Sequence, residues 1–416
     1  MNYGLIGEKL GHSFSKIIHE QLAAYQYELK PLSPEELPGF MRQLPFKAIN
    51  VTIPYKEMVI PYCHTLDEAA RAIGAVNTLV NDNGVLSGYN TDLSGFLYML
   101  EYHGFHLKDK KVMILGSGGT AKTVAAAVHA QAAARITVVS RAPGAGRISY
   151  QRAVNCHDVQ ALINTTPVGM YPLNGQTPIG LQQFAGLELV IDVIYNPLKS
   201  GLLLEAERLG LPYCNGLLML VAQAKYAAEH FTKTAIPDEK IGQIYRQLNA
   251  RLHNLVLIGM PSAGKTTLGA KLAQHLGRPF YDADQIIVQK TGLSIAAIFA
   301  QQGESAFREI ERRVLAEFAK ENGVVIATGG GAVKDAGNML NLKQNGIIIH
   351  VARAPEYLLV DGAARPLSPS RQALLTMATE RGPLYEKYCD MRIDNNLTIE
   401  SALENILEIY NEIAGN

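Results

Sequence analysis

Two glycine-rich stretches, about 140 residues apart, are the places where this chain of 416 residues can handle phosphate. The more specific is Gly259-Met-Pro-Ser-Ala263-Gly264-Lys265-Thr266-Thr267, which follows the unbroken apolar run Asn254–Ile258. Between a strand and a helix, glycines at that spacing let backbone N–H groups wrap phosphate oxygens. A lysine there neutralises the β- and γ-phosphates, and the hydroxyl after it ligates Mg²⁺. The stretch predicts a nucleoside triphosphate site with Lys265 and Thr266 in those roles.

The other stretch is Gly116-Ser117-Gly118-Gly119-Thr120-Ala121, after the buried-strand pattern Lys111–Leu115 and before an alanine-rich helix. This is a dinucleotide fingerprint in its expected context: the turn closes tightly, and pyrophosphate rests on the helix N-terminus. Residues 116–123 nearly spell a second P-loop, but Ala121 stands where its second glycine belongs, so that reading is rejected. An NAD site wants an acid at the end of the next strand, about 20 residues on. Here that strand ends in Ser140-Arg141, with Arg147 nearby. A guanidinium suits the 2′-phosphate of NADP.

Other residues could do chemistry in company, though each alone has a blander reading. Asn50-Val-Thr52-Ile-Pro-Tyr-Lys56 is an apolar strand broken by proline and followed by a lysine, and such a lysine is usually on the surface. Gly-Ala-Val-Asn77 and Gly-Tyr-Asn-Thr-Asp92 flank a hairpin, where Asp92 could simply start a helix. Ser13 and Ser15 would point the same way in an extended segment, as would Asp282 and Asp284. One of those two carboxylates would serve the metal and the other an acceptor hydroxyl. Arg308 lies in the charged helix 304–313, the plain reading being a solvated face. The triple Gly329-Gly330-Gly331 reads as a strand-end turn, and Arg365 and Arg381 each precede or adjoin a Pro-Leu pair.

The elements that must position these residues alternate short β-rich runs with helices, the pattern of parallel sheets covered on both faces. Strands are expected at 3–6, 49–53, 111–115, 136–139, 162–164, 189–193 and 254–258. A hairpin is expected over 76–89, and a helix with Thr91 as its N-cap. Helices at 217–230 and 238–252 precede a boundary placed at 249–253. The length suits two or three domains with their own cores. Lysine plus arginine number 38 and aspartate plus glutamate 38, and neither part has a basic excess, which argues against nucleic acid or an anionic membrane as partner. Four isolated cysteines suit a reducing cytoplasm. There is no signal-peptide pattern and no apolar run of membrane-spanning length.

With these residues in view, the first 250 residues resemble shikimate dehydrogenase. The resemblance runs through Gly-His-Ser13-Phe-Ser15-Lys, the Asn50–Lys56 block, Gly-Ala-Val-Asn77-Thr, Gly-Tyr-Asn90-Thr-Asp92, the Gly116 loop, Ile-Asn164-Thr-Thr-Pro-Val-Gly-Met, Asp-Val-Ile-Tyr195-Asn-Pro and Asn-Gly216-Leu-Leu-Met-Leu-Val-Ala-Gln223. It implies Lys56 and Asp92 as the catalytic pair, Ser13 and Ser15 as holders of the substrate carboxylate, and Thr52, Asn77 and Gln223 on the ring hydroxyls. Tyr195 and Gly216 then lie near substrate and nicotinamide. Only 24 positions separate Ser140 from Asn164. That is about a dozen fewer than the family pattern, so part of the crossover is expected to be missing from 142–160.

Residues 253–416 resemble shikimate kinase. The resemblance implies Asp284 as the group that orients and deprotonates the 3-hydroxyl, Asp282 beside Mg²⁺, and Arg308 and Arg381 as carboxylate clamps. Gly330 and Gly331 become backbone contacts to substrate, and Arg365 a lid arginine in a mobile lid over about 361–376. The family's adenine-stacking arginine has no clear counterpart. The implied architecture is α/β: a substrate lobe over 1–102, completed by helices in 216–250; a Rossmann NADP lobe over 103–215; and a P-loop kinase domain over 253–416. The implied function is reduction of 3-dehydroshikimate with NADPH, then phosphorylation of shikimate with ATP and Mg²⁺. The rivals are a regulatory shikimate or quinate sensor and a quinate-active dehydrogenase. The first predicts lost catalytic residues and an added DNA-binding module, neither of which is seen. Oligomeric state is left open.

Overall fold

The computed structural model describes residues 1–11, 13–144, 146–358 and 370–414. It divides into two compact units, Met1–Tyr245 and Arg246–Asn416, and the helix Glu239–Leu252 runs through the point of division.

The first unit holds two sheets. One contains β1 (Tyr3–Gly7), β2 (Tyr27–Pro31), β3 (Ala48–Val51), β4 (Thr65–Leu66), β5 (Thr78–Asp82) and β6 (Val85–Tyr89), in the order β2-β1-β3-β5-β6-β4. It is mixed: β5 runs antiparallel to β3 and β6, as the hairpin turn at Asn83-Gly84 requires. The other is wholly parallel: β7 (Lys111–Leu115), β8 (Arg135–Val139), β9 (Arg147–Ile148), β10 (Ala161–Asn164), β11 (Leu189–Asp192) and β12 (Tyr213–Cys214), in the order β12-β11-β10-β7-β8-β9. Starting from β7, this is the dinucleotide-binding order, with its switch point between β7 and β10. Val112 to Leu115 are buried on both faces, which is why they read as a continuous apolar run.

The expected shortening of the crossover takes a definite form. Residues 142–160 do carry a strand and a helix, reduced to the two residues of β9 and the single turn Tyr150–Ala153, capped by the Ser149 hydroxyl. The sheet is therefore complete in order and short at one edge. The N-cap expectation also shifts by one: Asn90, not Thr91, caps the helix Thr91–Tyr102, its Oδ1 accepting from the Leu93 amide at 3.2 Å.

That helix packs closely on the helix Leu217–Thr232. The approach depends on Gly95, where a Cβ would lie 2.8 Å from the Met219 carbonyl oxygen and the Gln223 nitrogen. A residue 146 positions from Asn77 is thereby carried to within hydrogen-bond reach of it.

The second unit has one parallel sheet: β13 (Asn254–Ile258), β14 (Phe280–Asp282), β15 (Val325–Ala327), β16 (Gly346–Ala352) and β17 (Met391–Asp394), in the order β14-β15-β13-β16-β17. β13 is buried throughout and ends in the glycine loop at the switch point. The charged helix around Arg308 is the second half of Ile295–Phe318, which bends at Gly303, where the backbone leaves helical values. No helix of the described residues is long and apolar enough to cross a membrane.

Candidate active sites

In the first unit the candidate catalytic pair is in direct contact. Lys56 Nζ donates to Asp92 Oδ2 at 2.6 Å, and both side chains are largely covered. Lys56 also reaches the Thr120 hydroxyl at 3.4 Å, so the lysine of one sheet's lobe meets the glycine loop of the other. Asn90 makes a second link, donating to Thr123 Oγ1 at 3.1 Å.

Behind the pair lies a buried polar net. Asn77 Nδ2 donates to Asp92 Oδ1 at 2.9 Å, to Thr91 Oγ1 at 3.0 Å and to Gln223 Oε1 at 3.3 Å. Asn77 Oδ1 accepts from the Thr91 amide at 2.7 Å. Asn50 donates to the Asn77 carbonyl and to Thr78 Oγ1, and itself accepts from the Tyr27 hydroxyl at 2.7 Å. Asp92 is thus fixed from both sides, by a cation on one oxygen and an amide on the other.

Ser13 and Ser15 do converge, though not by strand alternation. Ser15 begins the helix Ser15–Leu22, and Ser13, just before it, donates its hydroxyl to Ser15 Oγ at 3.1 Å. Thr52 sits half-buried beyond the end of β3, its hydroxyl making no hydrogen bond among the described residues. Tyr195 lies 5.7 Å from the Phe14 ring, and burial pushes its phenol up to about 12. Gly216 heads the helix Leu217–Thr232 against the Val193 carbonyl.

The loop 116–121 fits a dinucleotide. Gly118 is the N-cap of the helix Gly119–Ala130, with no side chain capping its first turn and open space beyond it. Those first-turn N–H groups suit a pyrophosphate. Ala121 faces the core, whereas Ser117 hydrogen-bonds the buried Ser140 at 3.0 Å. Arg141 is exposed, and Arg147 folds back, its Nε donating to the Gly144 carbonyl at 3.1 Å.

In the second unit the glycine loop holds its own lysine: Lys265 Nζ donates to the carbonyls of Gly259 and Met260, both at 2.9 Å. Gly264 caps the helix Lys265–Leu276 without a side-chain bond, Ala263 is buried, and Thr266 and Thr267 are exposed on its first turn. Thr266 Oγ1 donates to Asp282 Oδ2 at 2.6 Å. This hydroxyl–carboxylate pair beside a phosphate loop fits Mg²⁺.

The extended-segment expectation for Asp282 and Asp284 is corrected. β14 ends at Asp282, which caps the helix Ala283–Thr291, so Asp284 lies in that helix's first turn. The two carboxylates divide: Asp282 turns to Thr266, while Asp284 turns to the triple glycine. A Cβ on Gly329 would lie 2.9 Å from Asp284 Oδ1 and 2.8 Å from Glu311 Oε1.

Arg308 is not on a solvated face. Its Nη1 donates to buried Glu311 at 2.7 Å and its Nη2 to Glu304 at 3.1 Å, while the guanidinium lies where a Cβ on Gly331 would have to be. Tyr385 donates to the Gly330 carbonyl at 2.6 Å, and Arg381, one helical turn earlier, is buried. Glu311 Oε1 and Arg381 Nε are buried with no hydrogen-bond partner. Burial raises the Glu311 carboxyl even against its Arg308 partner. Arg365 and most of the lid expected over 361–376 lie outside the described residues, while Arg371 onward is helix. Asn50, Thr91, Glu311 and Tyr385 were not expected as site residues, Thr91 having been expected only as a helix cap. Asn50 and Thr91 stand within quoted motifs, but nothing local distinguishes a buried polar partner from a surface one.

The folds and sites define a two-lobed, nucleotide-dependent oxidoreductase followed by a P-loop phosphotransferase. A family model for the shikimate dehydrogenase substrate binding domain matches residues 5–79, and one for shikimate kinase matches residues 261–411. The shikimate dehydrogenase (NADP(+)) of Alkaliphilus oremlandii is 35% identical over 269 residues, covering 57% of this chain and 93% of that protein. That of Halothermothrix orenii is 37% identical over 261 residues, covering 55% and 90%. Among solved structures, shikimate dehydrogenase 1 of Peptoclostridium difficile matches with a TM-score of 0.56 at 32% identity, covering 60% of this chain and 98% of that one. A chorismate mutase/shikimate 5-dehydrogenase fusion protein from Clostridium acetobutylicum matches with a TM-score of 0.56 at 36% identity, covering 59% and 96%. The chain belongs to the shikimate dehydrogenase family and carries a shikimate kinase domain behind it.

Proposed function

We propose that this chain catalyses two consecutive reactions: NADPH-dependent reduction of 3-dehydroshikimate to shikimate, and Mg²⁺-dependent phosphorylation of shikimate by ATP to shikimate 3-phosphate. The carrying observation is the coexistence, in one chain, of a Lys56–Asp92 pair beside a dinucleotide loop and a P-loop beside a carboxylate–guanidinium cluster. The alcohol made at the first is the phosphoryl acceptor at the second. A ligand sensor would need none of these groups kept in register. The reactions and the four isolated cysteines suit the cytoplasm, with small molecules as partners and no nucleic acid or membrane.

In the reductase, NADPH supplies a hydride to the ketone carbon. Lys56 Nζ gives the proton that the forming alkoxide needs, and Asp92 holds that nitrogen in place. Asn77, Gln223 and Thr52 hydrogen-bond the ring hydroxyls, Ser13 and Ser15 take the carboxylate, and Tyr195 and Gly216 border the nicotinamide end. Gly116 to Ala121 seat the pyrophosphate, with Ser140 and Arg141 towards the 2′-phosphate.

In the kinase, Asp284 orients the 3-hydroxyl and accepts its proton. Arg308 and Arg381 clamp the ring carboxylate, and the Gly330–Gly331 backbone supports the ring. Lys265 would leave its loop carbonyls for the phosphates of ATP, and Thr266 with Asp282 would hold Mg²⁺, which when bound would screen phosphate charge. Arg365 would add positive charge at the transferring group.

The test mixes the protein with 3-dehydroshikimate, NADPH, ATP and Mg²⁺ and follows NADPH loss and ADP formation. ADP should appear only when NADPH is present. ADP formation at the same rate without NADPH would refute the pairing.

A further inference from the structure

Among the described residues, Arg353 is a cation beside the ATP-site loop that has been given no role. Arg353 follows the C-terminal end of β16, half-buried, and its Nε is buried without a hydrogen-bond partner. Its Nη1 stands 4.0 Å from where a Cβ on Gly264 would lie. The other arginines of this unit are mostly committed: Arg278 to backbone carbonyls, Arg308, Arg312, Arg313 and Arg392 to carboxylates. No carboxylate among the described residues pairs with Arg353.

The loop has two flanks. On one, a Cβ on Gly330 would meet Pro261 at 2.7 Å, next to the Asp284 and Glu311 carboxylates. The acceptor hydroxyl, and so the transferred phosphoryl group, belongs there. On the other, Asn395 donates to the Ala263 carbonyl at 2.7 Å and crowds Gly264, and Arg353 lies beside it. An unpaired guanidinium on the flank away from the acceptor would suit the part of the nucleotide that is not transferred.

We infer that Arg353 is a nucleotide-binding residue that grips the phosphates shared by ATP and ADP. This rests on reading the Gly259–Thr267 loop as an ATP site. Because the grip is on the retained phosphates, Arg353 acts on binding of both nucleotides and not on transfer. Nothing in Val351-Ala352-Arg353-Ala354-Pro355 marks the residue in sequence; the tertiary fold alone brings it to the loop.

The test is calorimetric binding of ATP and ADP to the full chain and its R353M and R353K variants, with kinase kinetics and unliganded melting alongside. R353M should weaken ATP and ADP alike by about 10- to 100-fold, as expected for loss of a charged hydrogen-bond donor. Its kcat at saturating ATP and its shikimate KM should stay within about two-fold, with R353K recovering part of the loss. Unchanged ADP affinity in R353M overturns the inference. So does a fall in kcat at saturating ATP, or a lowered unliganded Tm that accounts for the binding loss. If the unaltered protein binds neither nucleotide, the ATP reading itself has failed, and Arg353 with it.

Discussion

The two candidate sites differ in how far their buried polar groups are satisfied within the protein. Around Lys56, each buried side chain already has protein partners: Asp92 takes a cation and an amide, and Asn77 is bonded to Asp92, Thr91 and Gln223. Around Asp284, Arg308 pairs with Glu304 and Glu311, but the cluster is only partly satisfied. Glu311 Oε1 and Arg381 Nε are buried and unpartnered, and two carboxylates converge on Gly329. The first site is a finished cage with one ion pair, suited to hydrogen-bonding a polyol. The second is an unfinished ionic cluster, which a carboxylate and phosphates would complete. A buried unpartnered group is destabilising until something binds it. Ligand should therefore stabilise the kinase site more than the dehydrogenase site.

The sharpest way to break this contrast is at the single ion pair. Lys56→Ala should lower ketone reduction by about 10²- to 10⁴-fold, the usual range for a lost acid–base group, and leave phosphorylation unchanged. Near-normal NADPH oxidation by the variant would remove Lys56 from the chemistry. At the ionic site, Arg308→Ala should raise the kinase KM for shikimate by about 10- to 100-fold while ATP binding holds. The matched change in the cage, Ser13→Ala, removes only a neutral hydroxyl and should raise the dehydrogenase KM by roughly 2- to 10-fold. If the serine matters more than the arginine, the contrast is wrong.

Salt gives a milder probe. At saturating nucleotide, raising ionic strength to about 0.5 M should weaken shikimate binding to the kinase several-fold more than 3-dehydroshikimate binding to the dehydrogenase, since screening acts on the charged clamp.

A separate probe, outside both sites, concerns stability. Burial pushes the Asp192 carboxyl up to about 7, despite hydrogen bonds from Ser200, the Ile194 amide and Asn164. In the unfolded chain it titrates near its ordinary value of about 3.9. Between those values the folded state binds the extra proton, so its contribution favours folding at low pH and is lost as pH rises to about 7. Asp192→Asn should flatten that slope in urea midpoints measured from pH 4 to 7; an unchanged slope would assign it to another group.

Much of the fold was legible because backbone-determined patterns are local. β7 and β13 announce themselves as unbroken apolar runs ending in glycines, since both faces of a parallel strand are buried. The remnant of the short crossover was not legible because two paired residues, Arg147 and Ile148, are too few to leave a periodic signal. Asp284 was placed on a strand because nothing in Phe-Tyr-Asp-Ala-Asp says where the helix begins; the Asp282 cap decides it.

By itself, the sequence determined the phosphate loops, the alternation of strands and helices through most of the first 258 residues, and which residue types were available for acid–base and anion-binding work. These follow from φ-tolerant glycines, apolar periodicity and side-chain chemistry, all properties of a few consecutive residues. Only the tertiary structure decided the partnerships: Gln223 at Asn77, Thr120 at Lys56, Glu311 at Arg308, and Arg353 beside Gly264. Each joins residues set by helix packing or strand order, often across much of the chain. A hydrogen bond fixed to a few tenths of an ångström depends on all the packing between its ends.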